Sequence, residues 1–114
     1  MNVLVLDDDT HRHRAFLRGL LNHNVTIVTT AKEAIAALAH REWGAVFLDH
    51  DLQGVVESSG PGTGYEVAEW LARHPERQPP QIFIHSFNPS GAQKMQQALP
   101  SAQYIPGVWA QLDK

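Results

Sequence analysis

Ala45-Val46-Phe47-Leu48-Asp49-His50-Asp51 is the stretch on which the fold turns. Four apolar residues run directly into three ionisable ones. A short, wholly apolar run reads as a strand buried on both faces, as in a parallel sheet. Asp49, His50 and Asp51 cannot be core, and the carboxyl edge of an open α/β sheet is where ligands bind. Two other stretches repeat the form. Val3-Leu4-Val5-Leu6 leads into Asp7, Asp8 and Asp9, and Ile82-Phe83-Ile84 leads into His85 and Ser86. Three buried strands thus end in polar, reactive side chains along one edge.

The rest of the composition sets bounds. The chain has 114 residues, 43% of them hydrophobic, which suits one domain with a real core and argues against disorder. A net charge of −3 with neutral histidine, and no long basic run, argue against a broad nucleic-acid-binding face. A nucleotide or an RNA end can still fit a pocket. There are no cysteines, so disulfides and thiolate chemistry are excluded. The first residues go straight into a strand without a signal-peptide pattern, and no apolar run reaches membrane-spanning length. A cytoplasmic location is the default expectation.

In chain order, residues 2–7 read as the first strand. Asp9 or Thr10 caps a helix running to about Asn22, with Phe16, Leu17, Leu20 and Leu21 as its apolar stripe. The first turn of that helix carries His11, Arg12, His13 and Arg14. Cations there oppose the helix dipole, a cost that an anionic ligand would relieve. Val25, Ile27 and Val28 form a second strand. Thr30 and Glu33 have capping-box spacing, and Ala34, Ile35 and Leu38 line the buried face of the helix that follows. After the third strand, residues 52–62 form a glycine-rich loop, a candidate lid or specificity element. Thr63 and Glu66 repeat the capping spacing and open a third helix with Val67, Ala68 and Leu71 inward. Residues 81–86 are the fourth strand, and Asn88 with Pro89 starts a fourth helix with Ala92, Met95 and Leu99 inward. Tyr104-Ile105 make a fifth strand, leaving Pro106 to Lys114 too short for a full last helix. Strands and helices alternate, which predicts an α/β fold with a parallel sheet in a single domain.

These motifs resemble the receiver domain of two-component signalling over nearly the whole chain. Asp7-Asp8 match its acidic pair, Asp49 its phosphate-accepting aspartate, Gly64-Tyr65-Glu66 its third-helix opening and Ser86 its hydroxyl after the fourth strand. Gly91-Ala92 and Pro106 also fall at similar positions. The resemblance implies a doubly wound, five-stranded sheet of order 2-1-3-4-5 in a three-layer, flavodoxin-like sandwich with a truncated last helix. It also implies a divalent cation, usually Mg²⁺, held by the acidic residues against a phosphoryl group. There are departures. The receiver lysine before the last proline is Ile105 here, while Lys94 and Lys114 stand elsewhere, so the phosphoryl contact is lost. The loop between Asp49 and Gly64 is longer than usual. The additions are patterned, and "LDDD…R", "FLDHDL", "TG…V..WL" and "HSFN…GA..M" resemble the variant receiver family proposed to process cyclic phosphates.

Each candidate residue also has a structural explanation. Asp9 reads best as a helix cap. Asp7 and Asp8, facing Asp49 from the neighbouring strand, form a carboxylate cluster that raises its own pKa values or recruits a cation. Hard oxygen ligands favour Mg²⁺ or Mn²⁺, and nearby histidine admits Mn²⁺ or Zn²⁺. Asp51 either adds its main-chain carbonyl to that metal set or orients His50 with its side chain. His50 and His85 are buried structural imidazoles or acid–base groups. Side chains alternate along a strand, so if Ser86 faces the site, His85 faces away unless the strand has ended. Of the basic first turn, Arg12 is assigned to phosphate, which suits a bidentate guanidinium. Trp43, Trp70 and Trp109 read as packing residues, and His23, His40 and His74 as surface.

The sequence therefore predicts a divalent-cation-dependent phosphoester-processing protein acting on a cyclic phosphate of a nucleotide or an RNA end. Asp7, Asp8, Asp49 and Asp51 form the metal set, and Asp49, His50 and His85 the catalytic set. Ser86, Asn88 and Arg12 bind phosphate or substrate. The alternatives are a receiver phosphorylated on Asp49 by a signalling partner, or a degenerate receiver that only binds. Ile105 argues against the first and the paired histidines against the second.

Overall fold

A computed structural model of the chain describes residues 1–52 and 61–105. Most of the 52–62 loop and the segment after Ile105 lie outside the described residues, so expectations about a lid and a shortened last helix are not addressed by it. Strands β1 (Asn2–Leu6), β2 (Asn24–Val28), β3 (Ala45–Leu48), β4 (Gln81–Ile84) and β5 (Gln103–Tyr104) form one sheet of order β2-β1-β3-β4-β5. All pairs are parallel, and Val3 stands between Val25 and Ala45. Helices α1 (Thr10–Gly19), α2 (Ala31–His40), α3 (Gly64–Arg73) and α4 (Pro89–Ala98) provide the crossovers. This is the doubly wound α/β architecture expected from the alternation of strands and helices.

The period of two along each strand divides the apolar residues between two cores. Val3, Val5, Ala45, Phe47 and Phe83 meet Phe16 and Leu20 on the α1 face, together with Ile105. Phe47 stacks on Phe83 at 4.8 Å and takes the edge of Phe16 at 5.1 Å. Leu4, Leu6, Val46, Leu48, Ile82 and Ile84 face the other way, against α2, α3 and α4. Both faces of the central strands are covered, which is why their sequences read as unbroken apolar runs.

The helix starts behave as their sequences indicate, with small changes of partner. Glu33 N–H donates to Thr30 Oγ1 at 3.1 Å, while the Glu33 carboxylate accepts from Thr29 N–H at 3.2 Å. Thr63 Oγ1 accepts from Tyr65 N–H rather than from Glu66. Glu66 reaches back to Gly62 N–H at 2.8 Å, and Gly62 has φ +81°, a left-handed turn that glycine adopts without strain. Asn88 Oδ1 accepts from Gly91 N–H at 3.0 Å, and Pro89 occupies the first helical position.

Several boundaries differ from expectation. Helix α1 ends at Gly19, not Asn22, and of its expected stripe Leu17 and Leu21 are 47% and 80% exposed. Phe16 and Leu20 stand one turn apart and fill the sheet-facing side alone. Leu17 is rotated by about 100° from Phe16 and about 60° from Leu20, and Leu21 lies past the helix end. Strands β1 and β4 stop before Asp7 and His85. Strand β5 is Gln103–Tyr104, with Ile105 N–H still donating to Ile84 O at 2.8 Å. His74, expected at the surface, is half-buried: it stacks on Trp70 and pairs with the Trp70 carbonyl at the end of α3.

Candidate functional site

The backbone ladder continues one residue past each central strand. Asp7 N–H donates to Val28 O, Asp49 N–H to Leu6 O and His85 N–H to Leu48 O. Asp7, Asp49 and His85 therefore keep the alternation of their strands. All three fall on the α1 face, beyond Val5, Phe47 and Phe83, and all are buried. His85 Nε2 lies 2.9 Å from Asp7 Oδ2, and the His85 ring is wedged against Phe16. Arg12, in the first turn of α1, closes the group. Its Nε and Nη2 bind Asp7 Oδ2 and Oδ1 at 2.7 and 2.9 Å, and the same Nη2 reaches Asp49 Oδ2 at 3.2 Å. Asp9 N–H, also on the α1 side, donates to Asp7 Oδ1 at 2.9 Å, and His13 Nε2 meets the Asp7 carbonyl.

His50 and Ser86 take the opposite phase and stand on the α3–α4 face. The His50 ring lies against Gly91, where a Cβ would come within 2.5 Å of its Cγ, so α4 approaches the imidazole only because residue 91 has no side chain. Gly64 plays the same part for β3: a Cβ there would meet the Asp49 carbonyl oxygen, and Gly64 N–H donates to His50 O at 2.8 Å. His50 Nδ1 is 2.6 Å from Asp51 Oδ1, and Asn88 Nδ2 donates to the same oxygen at 3.0 Å. Ser86 Oγ accepts from Asn88 N–H at 3.0 Å, and Tyr104 OH donates to Ser86 O at 3.0 Å. The Asp51 carboxylate thus serves His50 and Asn88, and the ligand atoms that cluster on the other face come from Asp7, Asp49 and His85.

The sequence-predicted residues form two groups, one on each face of a single sheet edge. Asp7, Arg12, Asp49 and His85 make one; His50, Asp51, Ser86 and Asn88 make the other. Asp49 links them, since its Oδ1 accepts from His50 N–H at 2.8 Å. Asp8 is half-buried, and its charge reaches Asp49. Sequence reasoning missed Phe87, which is 68% exposed at the rim, with the Arg12 guanidinium 5.7 Å from its ring centre. An aromatic residue directly after His85-Ser86 was the available signal.

Burial raises the Asp7 pKa, but hydrogen bonds from His85 and Arg12 outweigh it and bring the carboxyl down to about 2. Asp49 moves the other way. Burial first, and the Asp7 charge second, push it up to about 7 against the pull of Arg12. His85 is lowered, because burial of the ring outweighs its bond to Asp7, so the imidazole is held neutral. With Nε2–H given to Asp7, His85 Nδ1 is left without a partner among the described residues.

Oxygens of Asp7 and Asp49 and a ring nitrogen of His85 lie within 4.8 Å of one another. Two carboxylates fit a divalent cation of the Mg²⁺, Mn²⁺ or Zn²⁺ type, and the neutral His85 imidazole would join them as a ligand by moving its proton from Nε2 to Nδ1. A separate cleft at the opposite edge of the sheet is lined by Arg41, Trp43, Glu76 and Arg77. Arg77 donates there to the carbonyls of Leu38 and Arg41 at 2.8 and 2.7 Å, closing the end of α2. We read that cleft as structural.

The sequence profile of one family, the cyclic-phosphate processing receiver domain, matches residues 2–101. The chain belongs to that family. No curated protein matches it. Among solved structures, response regulator TrrA of Thermotoga maritima, in complex with Mg(2+)-BeF, superposes with a TM-score of 0.71 at 17% identity, covering 92% of this chain and 84% of that one. The Mn(2+)-bound response regulator Rcp1 gives 0.72 at 15% identity, covering 92% and 79%. The signal receiver domain of an HD domain-containing protein from Pseudomonas fluorescens Pf-5 gives 0.74 at 15% identity, covering 96% and 83%. At these identities the likeness establishes the shared receiver fold. No helix among the described residues of this receiver domain is long and apolar enough to cross a membrane.

Proposed function

We propose that this receiver domain processes a phosphoester with the help of a divalent cation, acting on a cyclic phosphate of a nucleotide or an RNA end. The observation that carries the reading is the convergence of Asp7, Asp49 and His85 at three neighbouring strand ends, with one ligand atom from each within 4.8 Å of the others. Two receivers of the same fold are recorded with Mg²⁺ and Mn²⁺, which supports a cation on this edge.

Opening a cyclic phosphate requires a water nucleophile, a proton for the leaving oxygen and neutralisation of the phosphoryl oxygens. A divalent cation bound by Asp7, Asp49 and His85 would supply neutralisation and polarise the water. Asp7 holds Arg12 and His85 in place. Arg12, partly exposed at the rim of the cluster, spends its Nε–Nη2 fork on Asp7 and would turn that fork to a phosphate on leaving it. The value near 7 belongs to the metal-free protein; beside the cation Asp49 would be held ionised and serve as a ligand. His50 and His85 stand on opposite faces and are each bound to a carboxylate, so the acid–base pair expected from the sequence is redrawn. His85 positions Asp7 and keeps it ionised. His50 positions Asp51 and Asn88 at the second half of the edge. Ser86 fixes the start of α4 through Asn88 N–H.

The test is turnover of 2′,3′-cyclic nucleotides and cyclic-phosphate RNA ends with Mg²⁺ or Mn²⁺. Hydrolysis lost in Asp49→Asn supports the assignment. A metal-loaded protein that opens no cyclic phosphate refutes it. A second reading rests on the same Asp49 at the end of β3, as acceptor of a phosphoryl group from a signalling partner. Against it stands Ile105, whose side chain lies in the apolar cluster with Phe16, Phe47 and Phe83 and brings no charge to a phosphoryl group.

A further inference from the structure

We propose that Arg12 is the resident counter-cation of the Asp7–Asp49 pair, and that its guanidinium and a divalent cation exclude one another from that seat. Metal entry then releases Arg12 toward the phosphate of the substrate. The inference rests on the cation-assisted reading above and adds to it a competition inside the site.

The geometry carries the argument. Arg12 Nη2 lies between the two carboxylates, 2.9 Å from Asp7 Oδ1 and 3.2 Å from Asp49 Oδ2. A cation bound to those oxygens at about 2.0–2.2 Å occupies the same space. Steric overlap and like charge both forbid joint occupancy. Among the described residues no lysine and no second arginine pairs with either carboxylate, so Arg12 alone balances the pair. The side chain is also built to leave. It is 22% exposed and starts from the first turn of α1, whose backbone is fixed by Asp9 through His11 N–H and Arg12 N–H at 2.8 and 3.1 Å. The exposed Phe87 ring already stands with its centre 5.7 Å from the guanidinium carbon, a surface on which a guanidinium rests favourably. Asp9 Oδ2, 3.7 Å from Nη1, offers a second partner on the solvent side. The swing therefore needs side-chain torsions only.

The arrangement makes apparent metal affinity weaker than the carboxylates alone would give, by the fraction of molecules in which Arg12 is turned out. Binding of Mn²⁺ to the substrate-free protein, followed by calorimetry and by the electron paramagnetic resonance of free Mn²⁺, measures that fraction. Arg12→Gln should bind Mn²⁺ at least about tenfold more tightly than wild type, within the usual range of such couplings. Arg12→Lys, whose single ammonium cannot fork onto Asp7 while bridging to Asp49, should fall between them. Should the glutamine variant fail to fold without metal, the lysine variant decides the matter on the same scale. Wild-type binding that is unchanged or weakened in both variants overturns the competition while leaving cation-assisted chemistry standing. Absence of Mn²⁺ binding at millimolar concentration in all three proteins overturns the competition and the cation-dependent reading together.

Discussion

Asp49→Asn should make the metal-free protein more stable at slightly alkaline pH. Asp49 is 4% exposed, and its carboxyl titrates at about 7 in the folded chain against an ordinary value of 3.8. Between those values the folded protein retains a proton that the unfolded chain has released, so stability falls as pH rises through the interval. Each unit costs about 1.4 kcal/mol, giving roughly 4 kcal/mol once the pH exceeds 7. Asparagine is isosteric and cannot ionise. The aspartate accepts on two different oxygens, Oδ1 from His50 N–H at 2.8 Å and Oδ2 from Arg12 Nη2 at 3.2 Å, so asparagine keeps its one oxygen toward His50 and turns its amide NH2 toward Arg12. Losing the second of these bonds costs the variant about 1–1.5 kcal/mol at every pH, limited because Arg12 keeps its fork on Asp7. The variant should therefore gain about 2–3 kcal/mol at pH 8 and be about 1–1.5 kcal/mol less stable than wild type toward pH 4. Urea unfolding in EDTA at half-unit steps of pH, with the wild type alongside, measures the difference directly. Mg²⁺ should erase the advantage by stabilising only the wild type. A variant less stable than wild type at pH 8, or a difference that does not change with pH, would refute the assignment of Asp49 as a buried carboxyl crowded by Asp7.

Asp7→Asn has the opposite sign. It leaves Arg12 and His85 without their anion and should cost about 3–5 kcal/mol at neutral pH, shrinking as the pH falls from about 4 toward 2, where wild-type Asp7 is itself protonated. Chemical unfolding across acid pH reads this. Gly91→Ala places a methyl group against the buried His50 ring and should lower stability by about 1–3 kcal/mol despite the better helix former, a change that thermal melts will show. His50→Ala and His85→Ala should each reduce turnover of a cyclic phosphate by about tenfold or more while circular dichroism stays native. If both variants keep full activity, neither histidine positions the carboxylates that do the chemistry. Acetyl phosphate with Mg²⁺ should leave no stable aspartyl phosphate on Asp49; stoichiometric incorporation, read by intact mass, would favour the signalling reading.

The fold was legible because its strands are buried on both faces. Runs such as Val3–Leu6 and Ala45–Leu48 have no polar phase to confuse with an amphipathic helix, and capping residues at Thr30, Thr63 and Asn88 mark the helix starts between them. Helix α1 was less legible for a physical reason. Four apolar residues near its end suggest a broad stripe, but the space beneath it is filled by Phe16 and Leu20 against Phe47, so Leu17 and Leu21 have nothing left to cover. Competition for a fixed volume is decided by packing, and periodicity alone does not report it.

The site was legible as a set of residues but not as an arrangement. Alternation already placed consecutive residues on opposite faces, and it separates His85 from Ser86 and Asp49 from His50 once the strand ends are known to keep their phase. What alternation cannot give is the partner that each face brings. Arg12 belongs to the helix over one face and Gly91 to the helix over the other, and both are distant in sequence from the strand ends they meet. The choice between them sets the chemistry. A guanidinium laid across Asp7 and Asp49 fixes the charge of one carboxylate and leaves the other near neutrality. A glycine laid on His50 fixes a ring and leaves its nitrogen to Asp51. The same short strand, β3, therefore hands its two terminal polar residues to two different environments, and Asp49 is the atom-level junction because its side chain serves Arg12 while accepting the His50 amide.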